Sequence, residues 1–323
     1  METVLITGGT GFIGTALTKA LVAKNYDVII LTRNPPSSIQ HPVSNIQHPV
    51  SNIQHPVSSI RYASWNIKEQ TIDQDAITTA DHIIHLAGAN VGEKRWTAKR
   101  KNEILESRTQ SSSLLVKGLK EIPNKIKTVI SASGVGWYGP DAVIPNPHPF
   151  IETDPAFDDF LGETCKQWEQ SLDPIGGLGK RLVKLRTGIV FGDGGALEEF
   201  KKPLRFGLAT ILGNGKQVMS WIHIDDLVNL YIHAVENNEM NGVYNAVAPH
   251  PANNKAIVLR LAKITRGKFF IPVYVPSFVL KTVLGEMSIE VLKSATVSSG
   301  KLTQAGFNFL HPTIISAIRR SGV

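Results

Sequence analysis

Gly8, Gly11 and Gly14 recur at three-residue spacing near the start of the chain. An apolar run typical of a β-strand precedes them, and a helical pattern follows directly. Small residues in such a turn let the backbone approach a pyrophosphate, and the helix N-terminus offers free N–H donors and a positive dipole end. The spacing therefore predicts a dinucleotide site rather than a plain glycine turn. Its expected contacts are Gly8, Thr10, Gly11, Phe12, Ile13 and Gly14.

A second strand is predicted over residues 27–32, and Arg33 follows it directly. In dinucleotide-binding sheets, an acidic residue at this place holds the adenosine ribose 2′-hydroxyl, whereas an arginine faces the 2′-phosphate of NADP. Arg33 is thus predicted to select NADP(H). The alternative is a solvated arginine at the end of a strand.

Strand and helix patterns alternate through the first part of the chain, and they predict a doubly wound parallel sheet of the Rossmann type. Small residues after the third predicted strand, Ala87 and Gly88, would let the backbone lie against the cofactor. The predicted strands cover 82–86, 126–131 and 182–185, and the predicted helices cover 73–79, 96–119 and 157–172.

After about residue 190, loops and prolines interrupt the pattern. We therefore expect a nucleotide-binding domain over 1–190 and a smaller C-terminal substrate lobe over 191–323. The sheet is expected to be completed by residues near 218–247. With no flexible linker in between, the active site should lie in the cleft between the two parts.

Composition limits the classes of protein that need to be considered. The chain has 323 residues, 42% of them hydrophobic and 19% charged. A single cysteine, Cys165, excludes an intramolecular disulfide and is typical of a reducing compartment, so a cytoplasmic location is expected. No apolar run reaches the ~18 residues of a membrane span. The net charge of +7 is spread along the chain, which favours an anionic cofactor and substrate over nucleic acid.

A seven-residue unit is present in three consecutive copies within residues 37–60. Each unit contains a proline, so the period is not that of a coiled coil. The segment is expected to be an expanded surface loop. Its histidines, His41, His48 and His55, would be metal ligands only if a surrounding shell oriented them, and no metal site is predicted.

Several motifs resemble the extended short-chain dehydrogenase/reductases, and more narrowly their atypical branch of epimerase-family proteins. Residues 276–318 resemble the C-terminal domain of unknown function that accompanies this branch. The resemblance implies NADP binding and additional cofactor contacts at Leu86, Ala87, Gly88, Arg108, Ser131 and Arg186. It allows a homodimer, because adjacent helices often dimerise in this superfamily. The motifs are 7–14, 85–89, 92–96, 107–108, 131–133, 186–190 and 220–226.

The chain departs from the superfamily at its catalytic pair. Working short-chain dehydrogenases use Tyr-x-x-x-Lys, in which the lysine lowers the tyrosine pKa for proton exchange. No tyrosine here is followed four residues later by lysine. Matching Glu169 to the family's glutamate puts Leu161 and Cys165 at the two positions, and the atypical branch also lacks the pair.

The resemblance leaves Ser133, at the superfamily's serine position, and Tyr138 as the first candidates for catalysis. His223, which can titrate near neutrality, is the second candidate. A packed aromatic residue is the alternative for Tyr138. Substrate contacts are expected at Lys94, Arg95 and Trp221.

Two functions remain open from the sequence. One is an NADP-dependent oxidoreductase or epimerase acting on a small polar substrate such as a nucleotide sugar. The other is a non-catalytic NADP-binding redox sensor or regulatory protein, which the missing tyrosine and lysine favour.

Overall fold

The computed structural model describes residues 1–35 and 59–321. Most of the heptapeptide repeat, with His41, His48 and His55, therefore lies outside the described residues. In the described part of the chain, no helix is long and apolar enough to cross a bilayer.

The described residues contain fourteen strands, of which eight form one sheet. They are β1 (Thr3–Thr7), β2 (Asp27–Thr32), β3 (Ile60–Asn66), β4 (Thr71–Ile72), β5 (His82–His85), β6 (Thr128–Gly134), β7 (Arg181–Thr187), β8 (Ile189–Gly192), β9 (Leu208–Leu212), β10 (Val218–Met219), β11 (Trp221–His223), β12 (Gly242–Ala246), β13 (Ala252–Asn253) and β14 (Ile271–Val275). The sheet has the order β12-β7-β6-β5-β1-β2-β3-β4, and all neighbours are parallel except β3 and β4. The predicted fold class, a Rossmann-type parallel sheet with helices on both faces, is confirmed.

Helices alternate with these strands. They are α1 (Phe12–Ala23), α2 (Gln74–Thr79), α3 (Ala98–Glu121), α4 (Phe160–Leu172), α5 (Gly195–Leu204), α6 (Ile224–Glu236), α7 (Asn254–Arg266), α8 (Ser277–Leu284), α9 (Ser288–Leu292), α10 (Gly300–Gln304) and α11 (Ile314–Arg320). Short 3-10 turns cover Val135–Trp137, Asp173–Leu178 and Gly285–Met287.

Both faces of the sheet are buried, because alternate residues of each central strand point to opposite sides. On β1, Val4 and Ile6 enter one core with α1 and α6. Leu5, between them, enters a second core with α2, α3 and α4. Burial on both sides explains why β1 is apolar throughout rather than alternating.

Capping side chains set the starts of three helices that the sequence placed one to three residues too early. The side chains of Asp73, Thr97 and Asp159 accept hydrogen bonds from backbone N–H groups in the first turns of α2, α3 and α4. Each N-cap residue has non-helical backbone angles, so the helix begins after it.

The chain after β8 forms a third core and also returns to the sheet. β12 pairs in parallel with β7, with Asn245 beside Arg186. The third core packs α5, α7 and α11 around Phe191 and Trp221. The C-terminal part of the chain thus lies at the edge of the sheet where β6, β7 and β12 end.

Candidate functional site

The glycine turn between β1 and α1 is packed too tightly for side chains. Gly8 has a positive φ of 72°, and a Cβ there would lie 3.0 Å from the backbone of Leu86. A Cβ at Gly14 would lie 2.3 Å from the Gly8 carbonyl oxygen. Gly11 is the N-cap of α1 and makes no side-chain cap. The first turn of α1 therefore presents N–H groups that can donate hydrogen bonds to a bound anion such as a pyrophosphate.

A buried polar chain aligns the neighbouring strand end with this turn. Thr7 Oγ1 lies 2.7 Å from His85 Nδ1 and accepts hydrogen bonds from the N–H groups of Leu86 and Ala87, both at 3.2 Å. Burial, with the nearby Arg108 charge, lowers the pKa of His85 to about 3. The imidazole is therefore neutral, and Thr7 fixes the backbone of the predicted cofactor contacts Leu86, Ala87 and Gly88.

Arg33 lies at the same end of the sheet, immediately after β2. The register pairs Thr7 with Leu31, so Arg33 is level with the glycine turn. Its side chain is exposed, as is Thr10. This placement fits the 2′-phosphate role predicted for Arg33.

The Arg108 side chain contacts the loop that follows β5. Its guanidinium donates to the carbonyl oxygens of Ala89 and Ile104, at 3.0 and 2.8 Å, and lies 5.0 Å from the Trp168 ring centroid. A Cβ at Gly88 would lie 3.1 Å from the Arg108 Cζ. Arg108 therefore holds the loop after β5 in place.

Ser133 and Arg186 meet at a buried carboxylate. Ser133 Oγ donates to Glu169 Oε1 at 2.7 Å, and Arg186 binds both oxygens of Glu169, at 2.8 and 3.1 Å. The Arg186 guanidinium also lies 3.5 Å from the Trp137 ring centroid. Burial alone would lower the pKa of Arg186, but Glu169 raises it overall. In this structure Arg186, a predicted cofactor contact, is engaged by protein groups.

Tyr138 is fully buried. Its hydroxyl donates to Asn245 Oδ1 at 2.7 Å and accepts from Arg186 at 3.0 Å, and its ring stacks on Phe150. Burial raises the pKa of Tyr138 to about 12. The geometry corresponds to the packed alternative, because both hydrogen-bonding directions of the hydroxyl are taken within the protein.

The two positions matched to the missing catalytic pair carry no proton donor for substrate. Leu161 packs close to Gly136. Cys165 is buried, its thiol contacts the Gly134 carbonyl at 3.6 Å, and burial raises its pKa to about 11. A thiol in this state is not a nucleophile at neutral pH.

The predicted substrate contacts divide between surface and core. Lys94 and Arg95 are exposed in the loop before α3, and Arg95 reaches Gly285 of the C-terminal part. Trp221 is wholly buried in the third core, where its indole N–H donates to the His250 carbonyl at 3.1 Å. The substrate contact expected of Trp221 stays a prediction, and the structure gives its ring no accessible surface.

Ser131 and His223 are also enclosed. Ser131 Oγ donates to the adjacent Ala132 carbonyl at 2.9 Å. His223 is the N-cap of α6, and its Nδ1 accepts from the Asp225 N–H at 3.2 Å. Burial lowers the pKa of His223 to about 4.

Glu169, Asn245 and Thr7 are the site residues that sequence reasoning missed. From the sequence, Glu169 was only matched to a glutamate of the family, and no role was predicted for Asn245 or Thr7. The sequence signal that could have indicated them is a polar residue within an apolar strand or helix face, such as Thr7 at the end of β1.

Comparison with known proteins identifies the family. The family model of the NAD dependent epimerase/dehydratase family matches residues 4–157 and 183–246. The chain belongs to this family. A second model, for a domain of unknown function (DUF1731), matches residues 275–321. The family inferred from the motifs is thus confirmed.

Two relatives match this chain over nearly their whole length, and a third matches it over part of its length. The epimerase family protein SSP1921 of Staphylococcus saprophyticus is 35% identical over 319 residues, which cover 98% of each chain. The human epimerase family protein SDR39U1, solved with NADPH, superposes with a TM-score of 0.80 at 29% identity and covers 99% of each chain. A nucleoside-diphosphate sugar epimerase of Corynebacterium glutamicum has a TM-score of 0.73 at 29% identity, with 99% of this chain and 58% of that one covered.

Proposed function

We propose that this chain binds NADP(H) across the glycine turn, with Arg33 paired to the 2′-phosphate. The observation that carries the proposal is the position of Arg33, exposed and level with the turn at the end of β2. A guanidinium matches phosphate geometry through charge-assisted, bidentate hydrogen bonds. The similarity to human SDR39U1, whose structure contains NADPH, supports the same cofactor.

We further propose that the bound cofactor serves an oxidoreductase or epimerase reaction on a small polar substrate such as a nucleotide sugar. The nicotinamide would supply hydride exchange with a substrate carbon. Exposed Lys94 and Arg95, beside the C-terminal part of the chain, would attract an anionic group. The similarity to a nucleoside-diphosphate sugar epimerase supports this substrate class.

Non-catalytic NADP(H) binding is the second candidate function. It is favoured because the hydroxyls proposed for proton transfer are already hydrogen-bonded to other groups of the protein. Ser133 donates to Glu169, and the Tyr138 hydroxyl is enclosed between Asn245 and Arg186. A redox sensor or regulatory protein needs the cofactor site but no free acid beside the nicotinamide.

Cofactor titration of Arg33→Ala tests the first proposal. We expect NADPH affinity to fall by roughly 10- to 150-fold, the equivalent of about 1.5–3 kcal/mol for a hydrogen bond to a charged group. NADH affinity should change little, because NADH lacks the phosphate. Arg260→Ala, which removes an exposed arginine of α7, is the control and should leave both affinities unchanged. Equal loss for both cofactors, or a wild type that prefers NADH, would contradict the assignment.

A screen of carbonyl compounds and nucleotide sugars separates the two candidate functions. With a turned-over substrate, Ser133→Ala and Tyr138→Phe should each lower kcat by about 10²-fold while NADPH affinity holds, if these hydroxyls transfer protons. Full activity in both variants would mean that another residue acts as the acid–base catalyst. Tight NADPH binding without turnover across the screen would favour the sensor function.

A further inference from the structure

Three potential metal ligands meet where the C-terminal segment crosses the start of α6. His223 ends β11, Asp225 is in the first turn of α6, and His311 precedes α11. Asp225 Oδ2 lies 3.7 Å from His223 Nδ1 and 3.5 Å from His311 Nε2. The three ligand atoms all lie within 4.8 Å of one another. Two imidazole nitrogens and one carboxylate oxygen form a common ligand set for Zn²⁺.

Neighbouring groups already orient two of these ligands. The Ser321 hydroxyl donates to the Ala317 carbonyl, so it accepts from His223 Nε2, which is 3.2 Å away. This arrangement assigns the proton of His223 to Nε2 and leaves Nδ1 unprotonated, where it accepts the Asp225 N–H at 3.2 Å, so an ion bound at Nδ1 would replace that capping hydrogen bond. Asp226 accepts the backbone N–H of His311 at 3.0 Å, which fixes the position of that residue. Metal-binding histidines characteristically have an outer partner on their second ring nitrogen, as His223 has in Ser321.

A guanidinium occupies part of the cluster. Arg320 Nε donates to the same oxygen, Asp225 Oδ2, at 2.8 Å. The Arg320 side chain is 63% exposed, so its departure would uncover little buried surface. Asp193 adds negative charge near both His223 and Arg320. A divalent cation can therefore replace the arginine as the counter-ion of Asp225.

We propose that His223, Asp225 and His311 bind a divalent transition-metal ion of the Zn²⁺ class in competition with Arg320. Water would complete the coordination. The ion would connect α6, which belongs to the family match, with the C-terminal segment that matches the domain of unknown function. Its role would be structural, because it would join two parts of the chain through ligands far apart in sequence.

Titration of the untagged chain with Zn²⁺ tests this site. The histidines of the repeat are a competing source of ligands, so the measurement uses a variant with His41, His48 and His55 each replaced by glutamine. In that background we expect saturable binding of one ion per chain and a higher melting temperature with Zn²⁺. Absence of saturable binding at micromolar Zn²⁺ would overturn the proposal.

Variants of the cluster locate the ion. His311→Gln and Asp225→Asn should abolish binding, and Ser321→Ala should weaken it by roughly 10- to 100-fold through loss of the outer partner. Arg320→Ala should tighten binding by roughly 2- to 5-fold, since an exposed competing ion pair is removed. His148→Gln, at an exposed histidine, is the control.

Circular dichroism confirms that each variant is folded, and Co²⁺ absorption gives an independent readout. Tetrahedral nitrogen and oxygen ligation should produce visible bands in the background variant that His311→Gln lacks. Zn²⁺ binding that survives in folded His311→Gln and Asp225→Asn would overturn the assignment to this cluster.

Discussion

Gly14 lies where the first turn of α1 passes over the glycine turn. An added Cβ would stand 2.3 Å from the Gly8 carbonyl oxygen and 2.5 Å from the Gly9 Cα, and both are backbone atoms that no rotamer change can move. We expect Gly14→Ala to lower the free energy of unfolding by about 1–3 kcal/mol or more, as overpacking does. Urea unfolding measures the loss, and NADPH binding should fall with it.

Gly11→Ala is the matched control. Its Cβ would lie 3.4 Å from the same oxygen, at ordinary contact distance, and Gly11 has a φ of −79° that alanine adopts freely. Stability should fall by no more than about 1 kcal/mol, the cost of replacing a glycine N-cap with the less favoured alanine. NADPH affinity should still fall, since the methyl group would be added to the turn that is proposed to bind the pyrophosphate. A Gly14→Ala protein as stable as Gly11→Ala would contradict the packing argument.

His85 makes stability depend on pH. Burial lowers its pKa from 6.5 to about 3, so the folded state binds fewer protons than the unfolded chain. Its contribution is complete above the unfolded pKa and is lost as pH falls through the window from 6.5 toward about 3. Between about pH 7 and about pH 5 we expect a loss of about 2 kcal/mol.

His85→Gln should flatten this decline, because an amide keeps hydrogen-bonding atoms near Thr7 and Ser112 but does not titrate. Urea unfolding at several pH values gives the slopes. His148→Gln, at an exposed position, should retain the wild-type slope. Identical slopes for wild type and His85→Gln would show that another group carries the effect.

At the scale of elements, periodicity predicted the central strands and the long helices because local patterns encode them. β2 was predicted at its observed bounds, and the strand and helix alternation gave the parallel sheet. β3 has a polar sequence pattern, and no strand was predicted there. β3 forms because β2 offers a parallel partner on one side, a tertiary cause that local patterning does not contain.

The buried pair of Glu169 and Arg186 joins α4 to β7, and Ser133 joins β6 to the same carboxylate. Both charged side chains are almost fully enclosed, at 6% and 3% exposure. Removing one partner leaves the other charge buried and unpaired. We therefore expect Glu169→Ala to lower the free energy of unfolding by about 3–5 kcal/mol, measured by urea unfolding.

The double variant Glu169→Leu/Arg186→Met distinguishes pairing from simple packing. It removes both charges and keeps apolar volume, so it should be more stable than Glu169→Ala. Lys166→Ala, which removes an exposed ion pair on the same helix, should change stability by less than about 1 kcal/mol. A double variant no better than Glu169→Ala would mean that the charges themselves are not the source of the loss.

At the scale of the whole molecule, the site depends on residues that sequence separates widely. The glycine turn and Arg33 were predictable, because a short motif carries its own geometry. The partners that enclose Tyr138 were not, because Asn245 reaches it from β12 and Phe150 from a distant loop. The burial of Trp221 likewise follows from α7 and α11 packing over it, which no local pattern shows.

The C-terminal segment is attached to the sheet domain through Asp141. This carboxylate accepts hydrogen bonds from the Ser294 hydroxyl at 2.7 Å and from the Thr296 N–H and hydroxyl at 2.9 and 2.8 Å. Because these bonds are made to a charged acceptor, Asp141→Ala should cost at least about 1.5–3 kcal/mol. The effect should be local, since the glycine turn makes no contact with this carboxylate among the hydrogen bonds of the described residues.

Hydrogen–deuterium exchange measures where Asp141→Ala loosens the protein. Exchange should accelerate in peptides covering residues 294–298 and stay unchanged in those covering β1 and the glycine turn. Asp154→Ala is the matched control, because the only hydrogen bond to the Asp154 carboxylate among the described residues comes from within its own turn, from the Ile151 N–H at 2.8 Å. Protection at 294–298 that survives Asp141→Ala would assign the attachment to the N–H groups of Ala295, Val297 and Ser298, which donate to Val218, Ser220 and Phe150. Loosening confined to that segment would show that the C-terminal part can open while the cofactor turn stays formed.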